Sequence, residues 1–77
     1  MKEIQINKTY KHYKGNLYIV EDIATDVRTM ERMVVYRGLY GDCSLWVRPY
    51  NDFICEVNGK NQKHRFRLQD IEDRRYR

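Results

Sequence analysis

The sequence predicts a small all-β domain: five short, mostly antiparallel strands curled into a small barrel, with one short helical turn. Three observations carry this. Apolar and aromatic residues gather in short runs separated by turn residues such as Gly15-Asn16 and Asn58-Gly59. β-branched and aromatic side chains dominate those runs. A chain of 77 residues is too short for two full sandwich sheets, whereas a curled barrel leaves little exposed edge.

The elements follow in order. Thr9 to Lys14 alternates polar and aromatic residues and stops at Gly15-Asn16. Leu17-Tyr-Ile-Val20 continues through Ile23 as a strand with both faces partly covered. Met33 to Arg37 is the next strand, and Gly38 to Ser44 is a loop leading into Leu45-Trp-Val-Arg48. Pro49 has no N–H to give a ladder, so it ends that strand or lies on an edge. Tyr50 to Cys55 reads as a helical turn with Asn51 or Asp52 as its cap. Arg65 to Leu68 is the last strand. Ile23, Val27, Met30 and Val34 also fall at helical spacing. Thr25, Asp26, Val27 and Thr29 are mediocre helix formers, however, and they lie where a turn belongs, so a hairpin is expected. One domain spans 1–77, with the barrel at about 8–69 and a charged tail over 70–77.

The expected core is Tyr18, Val20, Val34, Tyr36, Leu45, Val47, Phe53 and Phe66. It assumes that Tyr36 stands opposite Val47, which puts Val34, Tyr36, Leu45 and Val47 on one face. Val35, Arg37, Trp46 and Arg48 then share the other face, two guanidinium groups around an indole. That combination suits cation–π stacking, or a platform for a flat anionic ligand. His12 and Lys14 lie on one side of the first strand with Tyr10. The candidate binding residues are therefore His12, Lys14, Arg37, Tyr40, Trp46 and Arg48. The same residues also fit a plain surface, with two arginines covering Trp46 and one hydrogen-bonded imidazole.

Charge and composition narrow the classes. With 42% hydrophobic and 13% aromatic residues the chain can close a core, which excludes a disordered chain. A net charge of +4 favours anionic partners. No apolar run is long enough for a membrane helix, and Met-Lys-Glu-Ile at the start is no signal peptide, so a cytoplasmic protein is expected. Cys43 and Cys55 are too few for a disulfide scaffold and lack the paired spacing of a zinc site, so no metal is expected. No glycine-rich phosphate loop occurs, and no cofactor is expected. Nothing in the spacing sets Cys43 or Cys55 beside His12 or His64 as a nucleophile with its base, so no enzyme and no catalytic residue is expected.

Three motifs carry a family resemblance: Tyr10-Lys-His-Tyr-Lys-Gly15 with Tyr18 and Val20, Val34-Val-Tyr-Arg-Gly-Leu-Tyr-Gly41, and Leu45-Trp-Val-Arg-Pro49 with Phe53. Together with Arg65-Phe66, they resemble a family of small bacterial one-domain proteins of unknown function with the pattern YxHYKGxxYxV, VVYRxLYG, WVRPxxxF. The resemblance covers residues 9–68 and implies an SH3-like barrel, with no activity attached. The chain departs from the pattern at Asp26-Val-Arg-Thr29, where members often carry His-x-Glu-Thr, and at Asp52, where a methionine often precedes the phenylalanine. The first change puts in doubt any role for a histidine in that hairpin, and the second fits Asp52 as a cap. The function expected is a non-catalytic binding module with a basic-aromatic face for nucleic acid or a nucleotide-like anion. The alternative is a protein-interaction module that takes a peptide in an aromatic groove.

Overall fold

A computed structural model describes residues 3–69. The charged tail expected over 70–77 lies outside the described residues. Five strands and one short helix follow each other: β1 (Thr9–His12), β2 (Leu17–Thr25), β3 (Arg32–Gly38), β4 (Leu45–Pro49), α1 (Tyr50–Ile54) and β5 (Phe66–Leu68). They form one antiparallel sheet in the order β4-β3-β2-β1-β5. This is the small all-β fold that the sequence predicts. The sheet is open between β4 and β5, and a barrel-like outline is compatible with it.

Side chains show how far the sheet curls. Four strand spacings of about 4.8 Å would put β4 and β5 roughly 19 Å apart in a flat sheet. Yet the guanidinium carbon of Arg48 on β4 lies 5.6 Å from the ring centre of Phe66 on β5. Part of the bend comes from a bulge in β2, where the register shifts between Val20 and Asp22 and leaves Glu21 over. The hairpin between β2 and β3 forms as expected. Asp26 closes it through three hydrogen bonds: its N–H donates to Glu31 O, its carbonyl accepts from Met30 N, and its carboxylate accepts from Arg28 N. Gly15 allows the turn between β1 and β2, since its φ of 110° is closed to most other residues.

Six buried residues make the core: Tyr10, Val20, Val34, Tyr36, Phe53 and Phe66. Phe53 of α1 stacks on Phe66 at 4.0 Å between ring centres and meets Tyr10 and Tyr36 edge-on at 5.4 Å each. The helix thus lays one aromatic ring over the concave side of the sheet. Tyr18 packs against this core partly buried.

Two expected core residues are not in it. Tyr36 pairs with Trp46, not with Val47, and Val35 pairs with Val47. Leu45 and Val47 therefore face outward, 51% and 62% exposed. Trp46 and Arg48 turn to the concave side with Tyr36 and Val34. One residue of register moves every side chain of a strand to the other face. The register follows from the loop, where Gly41 and Cys43 both take left-handed conformations and Gly38 N–H donates to Ser44 O. Asp52 is likewise not a cap. Pro49 holds the N-cap position, no side chain caps the helix, and Asp52 lies in the first turn.

Candidate functional site

His12 stands at the end of β1, on the concave side with Tyr10. Its ring stacks on Tyr13 at 4.5 Å and meets Phe66 edge-on at 4.9 Å. Nδ1 accepts a hydrogen bond from the backbone N–H of Lys14 at 3.1 Å, which in the neutral ring leaves the proton on Nε2. Burial lowers the pKa of His12 below its ordinary value, and the charges of Arg48, Arg65 and Lys14 lower it further. A positive field therefore surrounds the ring.

Arg48 and Arg65 reach this place from opposite edges of the sheet. Arg48 donates from Nε to the Tyr36 hydroxyl at 3.1 Å and from a terminal nitrogen to Asp52 Oδ2 at 2.7 Å. Arg65 lies 3.8 Å from Asp52 Oδ1 and donates from Nε to the Cys55 sulfur at 3.3 Å. Burial alone would lower the pKa of Arg48, but its hydrogen bonds to Tyr36 and Asp52 outweigh that and raise it. Asp52 thus clasps the open side of the sheet and neutralises one of two guanidinium charges.

A second group of rings completes the face. The hydroxyls of Tyr18 and Tyr40 are 3.0 Å apart. Burial, then this hydrogen bond, pushes the Tyr18 phenol up to about 12. Tyr40 lies across Gly38, where a Cβ would come within 3.0 Å of its ring, so the missing side chain makes room for it. Tyr40 is 43% exposed and Trp46 49%, and each offers a half-open aromatic surface.

Residues 8–68 match the family described as a protein of unknown function, DUF1653. The chain belongs to the DUF1653 family. No curated protein and no solved structure matches it.

Within this DUF1653 domain the sheet brings His12, Trp46 and Arg48 to the concave face, with Lys14 and Tyr40 at its rim in the adjoining turn and loop. Arg37 is not among them. It lies on the outer face by register, where Nε bonds Glu21 at 3.1 Å and a terminal nitrogen donates to Cys43 O at 3.0 Å. Its place is at the base of the β3–β4 loop. Sequence reasoning missed Arg65, Tyr13 and Lys60 as site residues. The gathering of Lys60, Lys63, Arg65 and Arg67 is visible in the chain, but only the pairing of β5 with β1 sets it beside His12. Lys60 Nζ lies 5.4 Å and Lys14 Nζ 5.9 Å from the Tyr13 ring centre. Beyond α1, an apolar groove of about 880 Å³ is lined by Ile4, Tyr10, Phe53, Ile54, Phe66 and Leu68, among others.

Proposed function

We propose that this DUF1653 domain is a non-catalytic binding module whose concave basic-aromatic face takes nucleic acid or a nucleotide-like anion. One observation carries the reading: Arg48 lies over the Phe66 ring that His12 meets edge-on, and Asp52 is the carboxylate paired to both Arg48 and Arg65. Cations gathered on rings match a ligand that joins a negative charge to a flat apolar surface. Two free cysteines are in keeping with a cytoplasmic protein. Among the described residues, no helix is long and apolar enough to cross a membrane.

Titration of a short oligonucleotide against salt tests this, with heparin as the control. Contact with about three phosphates gives a log–log slope of roughly −2, so a fourfold rise in salt weakens binding by roughly 15–20-fold. Trp46→Ala costs about 1–3 kcal/mol of stacking and leaves the slope unchanged. Heparin competing as well as the oligonucleotide, with Trp46→Ala silent, would reduce the face to a basic surface. The groove beside α1 favours a second reading, a module that takes an apolar peptide there. Binding of such a peptide without oligonucleotide binding would select it.

A further inference from the structure

The cations of the concave face form two stations. At the first, Arg48 and Arg65 flank Asp52. At the second, Lys14 and Lys60 stand over Tyr13. His12 lies between them, stacked on Tyr13 and edge-on to Phe66, the ring beneath Arg48. Each link in this path, from Arg48 through Phe66, His12 and Tyr13 to Lys60, measures 4.5–5.6 Å.

The second station is anchored. Gln62, buried at 8% exposure, donates from Nε2 to Lys11 O at 2.9 Å and to His64 O at 3.0 Å, which fixes the loop bearing Lys60 on β1. Tyr13 N–H donates to Arg65 O at 2.9 Å, so the two stations share one backbone contact. Their spacing therefore belongs to the fold, although both lysines are side chains of exposed residues.

We infer that this face takes a single strand of nucleic acid and not a free nucleotide, with one phosphate at Arg48 and Arg65, another of the same strand at Lys14 and Lys60, and unpaired bases against Trp46 and Tyr40. The inference rests on the reading of this face as an anion site. A mononucleotide carries its charge at one point and reaches one station. A strand carries several phosphates and reaches both. A duplex hides the faces of its bases in its own stack and cannot offer them to half-exposed rings, whereas single strands stack on aromatic side chains readily.

The test compares thymidine monophosphate, a thymidine octamer and that octamer annealed to its complement, on the wild-type chain and on Lys60→Gln, at low salt. Lys60 is exposed, and circular dichroism confirms that the variant folds. Thymidine monophosphate is expected to bind at least about tenfold more weakly than the octamer, and the duplex more weakly than the single strand. Lys60→Gln is expected to weaken octamer binding by about threefold to fivefold and to flatten its log–log salt slope by about 0.7, a larger loss than it causes for the monophosphate. Monophosphate binding as tightly as the octamer, or a Lys60→Gln effect equal on both, overturns the two-station track while the anion site stands. A duplex bound as tightly as the single strand overturns it too. No binding of any of the three removes the anion site with it.

Discussion

Replacing Asp52 with asparagine is expected to move stability and ligand affinity in opposite directions. Asp52 holds Arg48 at 2.7 Å and Arg65 at 3.8 Å across the open side of the sheet. Its side chain is 42% exposed, against 28% for Arg48 and 25% for Arg65, so water screens the pairs. The loss belongs near the top of the range for exposed ion pairs, about 1 kcal/mol. For a domain of this size that lowers Tm by about 4–8 °C. Asparagine keeps an oxygen to accept from Arg48, so the arginine stays close to its place. The cation cluster meanwhile gains a full unit of net positive charge. One more unit charge near 4 Å from a bound phosphate in high dielectric is worth about 1 kcal/mol, roughly a fivefold gain in affinity. Thermal denaturation followed by circular dichroism reads the first effect, and oligonucleotide titration at low salt reads the second. An unchanged Tm refutes the clasp. A lower Tm with weaker binding shows that Asp52 acts on the ligand by placing the arginines, and it refutes the charge argument.

The other expectations concern register and protonation. Val47→Lys, on the outer face, is expected to change stability by no more than about 0.5 kcal/mol; a loss of several kcal/mol in chemical denaturation would put Val47 in the core and overturn the observed register. His12 binds its proton less readily in the folded chain than in the unfolded one, so the sign of its effect is set. Well above pH 6.5 both forms are neutral and stability does not depend on this group; as pH falls through that value the unfolded chain protonates first and the fold loses stability. Denaturation midpoints across this window, with His12→Gln as the variant that flattens the drop, check this. A bound anion reverses the field on the ring, so oligonucleotide binding is expected to tighten as pH falls over the same range.

Local chemistry in the chain was enough to determine the strands, the hairpin at Asp26, the turns at Gly15 and Asn58-Gly59, the end of β4 at Pro49 and the short helix after it. Each depends on residues a few positions apart: an alternation of apolar side chains, a missing N–H, a glycine free to take positive φ. Most of the core was legible for the same reason, as was the basic-aromatic character of the candidate face at His12, Lys14, Tyr40, Trp46 and Arg48. Tertiary structure decided the rest. The register of β4 depends on a six-residue loop with two left-handed residues, and a slip of one position exchanges Trp46 and Arg48 for Leu45 and Val47. The removal of Arg37 from the candidate site follows from that slip. So does the neighbourhood of Trp46, which keeps Arg48 on its face and loses Arg37. Arg65 and Lys60 join His12 and its neighbour Tyr13 because β5 returns to pair with β1 from more than fifty residues away. Asp52 had a local signal for only half of its role: Arg48 stands four residues before it, whereas Arg65 comes from the residue before β5. Contacts between distant segments are set by how the whole sheet curls over Phe53, and no spacing within one segment encodes that.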